Sequence, residues 1–286
     1  MKKITKKMLL PVIALLGLAS CGGQTVKPEV AKQRAQKIAE VQKSEDFELP
    51  KKLYIDEEAV IKGEMVSPTG TEKTNVTVSS LFSLDLENFQ VYMSLKGQGE
   101  TDKQKNYSSE IWFYLEDNTF YAVSDIDGEK NYTKVTVEIN NFNFSEAAAN
   151  VVNQVYDLLT SEDYLNLDQY TSGVNNEVTE GFKVDFGTPS VTYTSTGDGN
   201  LGITQKASIN TKIESEGVSI SAKGSSTLKV QFDNYILSSL SSNCNVDLNA
   251  GGESVSLEAK SNTNVHLNST QFSKPNLSDF TEKTVA

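Results

Sequence analysis

The chain has 286 residues, with 38 acidic against 26 basic side chains and a formal net charge of −12 at pH 7. A chain of this length buries roughly 70 to 75% of its unfolded surface, so a sizeable core is within reach. The acidic balance, with no Lys/Arg stripe interleaved with aromatics, sets nucleic-acid binding aside; its plainest use is to keep a surface soluble.

The first twenty residues hold Lys2, Lys3, Lys6 and Lys7 and no acid, and an apolar run follows from Met8 to Ala19. Basic residues, a short apolar stretch and small residues, in that order, make an export signal. A membrane-spanning helix needs about 20 apolar residues. This run has twelve, interrupted by Pro11, and reads as a leader rather than a permanent anchor.

The leader ends on Leu18-Ala19-Ser20-Cys21-Gly22, small residues ahead of a cysteine. In this, residues 1–23 resemble bacterial lipoprotein precursors. The resemblance implies a diacylglyceryl group on the Cys21 sulfur, cleavage between Ser20 and Cys21, and attachment to the extracytoplasmic face of the cell membrane through acyl chains such as palmitate. One lipid chain binds a membrane only reversibly, so firm attachment takes two or more. Cleavage leaves 22 basic and 38 acidic residues, a mature charge of −16 that should repel anionic headgroups. Cys244 then has no disulfide partner. Flanked by Asn243 and Asn245, which supply no positive charge to lower its pKa, it reads as a small strand residue.

Residues 21–27 read as a lipidated tether and 28–286 as one mainly-β domain. Pro28 opens a helix near 28–44, with Val30, Ala31, Ala35, Ile38 and Val41 at helical spacing. From Leu53 the period changes to two. Val76, Val78, Ser80, Phe82, Leu84 and Leu86 alternate with polar residues, and Phe89, Val91, Met93 and Leu95 repeat the pattern after a turn at Glu87-Asn88. Aromatics gather next, with Trp112, Phe113, Tyr114, Phe120, Tyr121 and Tyr132 around turns at residues 116–118 and at Asp127-Gly128. Consecutive large residues from Ile111 to Leu115 imply a strand with apolar contacts on both faces. The cover expected for its second side is an apolar helix near 145–160, opening at Ser145 and carrying Val151, Val152, Val155, Leu158 and Leu159.

From Val178 strands return at spacings near ten, with turns at Gly197-Asp198-Gly199 and Gly251-Gly252. Residues 218–230 are echoed 37 positions on by residues 255–267, as an internal repeat of hairpins or as ordinary β-patterning.

Catalytic patterns are scarce. The single histidine, His266, alternates with Val265 and Leu267, as a solvent-facing strand residue does, and cannot build a His-rich zinc site. No G-x-S-x-G or phosphate loop occurs. Asp125-Ile126-Asp127-Gly128 puts Lys134 where a calcium loop needs its last carboxylate, so it reads as a turn. With 38 acids, a carboxylate pair for hydrolysis is not identifiable by spacing. No enzyme, metal or cofactor is expected.

The order of helix, long strands, aromatic hairpin at Trp112 to Val123, helix from Ser145 to Leu159 and further strands is similar to that of the periplasmic carrier LolA and the LppX/LprG lipoproteins. That likeness implies an α+β, mainly β fold: a large curved antiparallel meander sheet, half-barrel-like, with an N-terminal and a mid-chain helix on its concave face. It further implies a cavity for a lipid or other apolar ligand, for which Trp112, Tyr114, Phe120, Val151 and Val155 are the lining candidates. The polar stretch from Asp46 to Lys52 and the Ser/Thr/Asn-rich C-terminal half depart from the pattern. The competing reading is a structural or interaction lipoprotein of the cell envelope without a small-molecule ligand.

Overall fold

The computed structural model describes residues 24–284 apart from 49, 100–105, 138–148, 173–174, 180–181, 186–187 and 216–217. Cys21, the leader, and Ser145 at the expected start of the second helix lie outside the described residues.

The described elements are β1 (Gln24–Val26), α1 (Pro28–Gln42), β2 (Lys52–Ser67), β3 (Gly70–Asp85), β4 (Gln90–Gly99), β5 (Tyr107–Glu116), β6 (Thr119–Ile126) and β7 (Glu129–Thr136). Then come α2 (Ala149–Leu159), a 3₁₀ turn (Glu162–Leu165), α3 (Asp168–Thr171), β8 (Asn175–Thr179), β9 (Phe182–Asp185), β10 (Ser190–Ser195), β11 (Leu201–Ser215), β12 (Val218–Asp233), β13 (Ile236–Ala250), β14 (Glu253–Leu267) and β15 (Thr281–Glu282). The fold is α+β and mainly β, as the alternation predicts. One open sheet of 13 strands has the order β1-β10-β11-β12-β13-β14-β2-β3-β4-β5-β6-β7-β15, and β8 with β9 forms a separate pair. Gln24–Val26, expected to be tether, is instead an edge strand, because Thr25 and Val26 pair with Thr194 and Tyr193 of β10.

Tight turns set the pairing. Asp117-Asn118 and Asp127-Gly128 have positive φ at both positions, the geometry that lets a two-residue loop follow the twist of its strands. The Asp127 carboxylate accepts from the Ser108 amide at 2.8 Å, and Asp125 accepts from the Gly128 amide at 3.1 Å. These acids hold turns, as read from the sequence. The two copies of the 37-residue echo lie within β12 and β14, the strands on either side of β13.

By its contacts the chain divides into two units, residues 1–44, 59–76 and 162–263, and residues 45–58, 77–161 and 264–286. In the first, α1 buries Ala31, Ala35 and Ile38 against β10 and β11. The core there includes Leu201, Ile203, Val230, Phe232 and Leu237. Cys244 lies buried on β13 with its thiol pushed up by burial, the inert strand residue expected. Gly224 permits the close approach of β12 to β13, since a Cβ there would overlap the Asn245 carbonyl oxygen.

In the second unit, Asp85 ends β3 with its side chain buried. It accepts from the Glu87 and Asn88 amides, each at 3.0 Å, and from the Asn88 side chain at 2.7 Å, with Lys52 Nζ at 3.5 Å. Burial alone pushes this carboxyl up, but the Asn88 and Glu87 hydrogen bonds and the Lys52 charge outweigh it, and the net shift is downward. The folded pKa therefore lies below the unfolded value of about 3.9, so the stabilisation is complete above that pH and fades as pH falls through the folded pKa. Asp85→Ala should lower stability by about 2 kcal/mol at neutral pH. Urea midpoints for the two chains should converge as pH drops below about 4.

Candidate functional site

The site is assembled on β4 to β7 of the second unit. Registry places Tyr92 opposite Trp112, Trp112 opposite Val123, and Val123 opposite Tyr132, a row across four strands on one face. The adjacent row on that face holds Tyr114 opposite Tyr121. Trp112, Tyr114 and Val123 are buried. Tyr114 stacks on Tyr121 at 4.9 Å, and Tyr92 tilts against Trp112 at 5.4 Å.

What covers this face is the C-terminal segment. Phe272, Leu277 and Phe280 pack on the cluster, Phe280 edge-on to Trp112 at 6.2 Å and Phe272 edge-on to Tyr114 at 5.9 Å. The segment from 268 to 280 has no regular structure beyond one 3₁₀ turn, and is fastened at intervals. The Gln271 amide donates to Ser83 Oγ at 2.8 Å, and Lys274 pairs with Glu116. At its end β15 lies parallel to β7 over two residues, and Glu282 accepts from the Tyr132 hydroxyl at 2.7 Å and from Lys134 at 2.9 Å. Several of these fastenings are exposed ion pairs, which water and salt screen so that each adds little. The strap is thus an apolar seal with weak polar clasps.

Beneath it the Tyr114 hydroxyl is buried without a hydrogen-bond partner among the described residues. Burial pushes that phenol up to about 12, so it stays a neutral donor at any physiological pH. Tyr92 is also raised to about 12, by burial and then by its 2.7 Å bond to Glu110, so its proton is already engaged. A buried phenol left unmatched costs about 1 to 3 kcal/mol, which makes Tyr114 the anomaly of this face.

Of the five lining candidates, Trp112 and Tyr114 come together here. Phe120 does not: it lies opposite Leu115, on the other face of the sheet, and stacks on Phe113 at 6.3 Å. The two-residue turn at Asp117-Asn118 makes even-numbered residues of β5 face odd-numbered residues of β6, which reverses the parity that counting along the chain suggests. Val155 is buried on α2, but it is not among the residues packed on Trp112 and Tyr114. Val151 belongs to the same helix, and its side chain lies outside the described residues. The cover expected from this helix is supplied on the Trp112 face by Phe272, Leu277 and Phe280, which sequence reasoning missed. Their signal was three large apolar residues around Pro275 in an otherwise polar tail.

Other candidates fare differently. His266 is part-exposed, as expected, stacks on Tyr54 at 4.0 Å and bonds Asp56 at 2.7 Å. Among the described residues no group of three or more His, Cys, Asp or Glu is placed to hold a metal ion. A groove of about 250 Å³ in the first unit runs between α1 and residues 162–168, with Ala35, Ala39, Leu165 and Leu167 as floor and Lys32, Glu162 and Asp168 at its rim. That is below the roughly 300 to 1,000 Å³ of most small-molecule sites.

No family model and no curated protein matches the chain. Among solved structures it is similar to lipovitellin, from a study of lipid–protein interactions in that protein. The identity is 12% and the TM-score 0.32 over 79% of this chain, which spans about a quarter (26%) of lipovitellin. It is also similar to the ywiB protein of Bacillus subtilis, at 7% identity and TM-score 0.15, over 74% of this chain and 92% of that one. A third likeness is to the S-type phycobiliprotein lyase CPES of Guillardia theta, at 8% identity and TM-score 0.17, over 86% and 98% of the two chains. Scores this low leave the site to be read from its own chemistry.

Proposed function

We propose that this chain is a lipoprotein acylated at Cys21, held on the extracytoplasmic face of the cell membrane, that binds or carries an amphiphilic lipid or similar apolar ligand on the aromatic face of its second unit. The leader and the Leu18-to-Cys21 motif support the anchoring, and the arrangement likened to LolA and the LppX/LprG lipoproteins supports a carrier role. The observation that carries the ligand is the unmatched Tyr114 hydroxyl beneath the strap. Aromatic rings suit an acyl chain, and one buried neutral donor suits the carbonyl or hydroxyl at its head. In this reading the protein binds and carries out no catalytic step.

The test is organic extraction of the purified chain followed by mass spectrometry, with titration of a fluorescent fatty acid. Co-purified amphiphile and saturable uptake are expected. Tyr114→Phe should weaken uptake about five-fold, the worth of one hydrogen bond of about 1 kcal/mol, while thermal stability stays level or rises because an unmatched group is gone. No amphiphile, no uptake and no effect of Tyr114→Phe would instead favour an envelope interaction module.

A further inference from the structure

We infer that one end of the first unit, formed by Gln24, residues 196–200 and the Asn234-Tyr235 turn, rests against the headgroups of the bilayer that holds the chain's own acyl anchor. The inference rests on the lipidation reading above and adds to it the surface that meets the membrane.

The first support is chain length. Three Cα steps separate Cys21 from Gln24, at most about 11 Å even when fully extended. The headgroup layer alone takes up about 5 to 8 Å of that, half the difference between whole bilayer and hydrocarbon core. Gln24 is not the start of a loose tail either. It is paired with Ser195 in β1, and α1 follows at once, buried through Ala31, Ala35 and Ile38. Arg34 is ion-paired with Asp198, and the Gln42 side chain donates to the Tyr235 carbonyl at 2.7 Å. The anchor therefore fixes a folded edge to the membrane surface.

The second support is the backbone at that end. Asn234 and Tyr235 both have positive φ, 50° and 66°. The two-residue loop between β12 and β13 requires this geometry, and it sets there a tyrosine, a residue that rarely adopts it. Tyr235 lies over Gly199, where a Cβ would come within 2.9 Å of its ring, and its amide donates to the Gly199 carbonyl at 2.9 Å. The turn thus holds an aromatic side chain with a polar tip at the end nearest the anchor, and tyrosine is favoured at the membrane interface.

Orientation follows from the strands. β12 and β13 run about 45 to 50 Å from this end to the Gly251-Gly252 turn.

The experiment uses the full acylated chain in a Cys244→Ser background, with a bimane label on Thr196→Cys or on Glu253→Cys, both exposed sites at opposite strand ends. The protein is reconstituted into phosphatidylcholine vesicles containing headgroup-nitroxide lipid. The label at 196 should be quenched several-fold more than the label at 253, and inserting about 20 Gly/Ser residues between Gly23 and Gln24 should remove most of the difference. Equal quenching in acylated, uninserted protein overturns the orientation and leaves the lipidation standing. A Cys21 peptide that lacks acyl mass sinks both.

Discussion

Cys21→Ser is expected to abolish incorporation of labelled palmitate and to move the chain from the membrane fraction into the soluble one. A serine hydroxyl offers no thiol for the thioether through which lipoprotein precursors receive their diacylglyceryl group. The size of the effect follows from chain arithmetic. A single acyl chain gives an association constant of only about 10⁴ M⁻¹, and each further buried methylene adds about 0.8 kcal/mol, so a second chain of about 14 methylenes adds on the order of 10 kcal/mol. The difference between anchored and free protein is therefore close to all or none. Fractionation of cells expressing both forms, with autoradiography of the label, reads it directly. A wild-type chain that takes up no label would remove the anchoring and the membrane-facing surface drawn from it.

The strands were legible because a half-buried sheet writes its burial into alternate residues. β3 ends and β4 begins around the turn expected at Glu87-Asn88, and the hairpin at Asp127-Gly128 could be placed because few residue pairs accept positive φ twice. The first helix announced itself through Pro28 at its start and a stripe at Ala31, Ala35 and Ile38. β1 escaped notice because three residues carry no measurable period, and its pairing with β10 comes from more than 160 positions away. The strap escaped for a related reason. Phe272, Leu277 and Phe280 are too few and too unevenly spaced to establish a strand or helix period, so their burial is settled by tertiary contact with Trp112 and Tyr114. The site was thus half visible: its aromatic floor stood out in the sequence, whereas its cover did not.

Deleting residues 269–286 is expected to cost the second unit about 3 to 6 kcal/mol, from three half-buried apolar side chains at roughly 1 to 2 kcal/mol each. That is a large share of the 5 to 15 kcal/mol that holds a typical domain folded. The exposed floor, with Trp112 and Tyr114 in adjacent rows and Tyr92, Tyr121 and Tyr132 around them, becomes an apolar patch of the kind that binds hydrophobic dyes. Anilinonaphthalene sulfonate fluorescence should rise and the urea midpoint should fall. Phe280→Ala is the milder version: it removes the edge-on partner of Trp112 and should cost about 1 to 2 kcal/mol without loss of fold. If the strap and a ligand compete for one face, both variants should take up fluorescent fatty acid faster than the intact chain, because opening no longer has to break the seal. Unchanged dye binding and an unchanged midpoint in both would mean that the segment covers nothing that matters. Faster uptake in Phe280→Ala at nearly wild-type stability would separate a gate from a structural cover, since a purely structural residue alters uptake only as far as it alters folding.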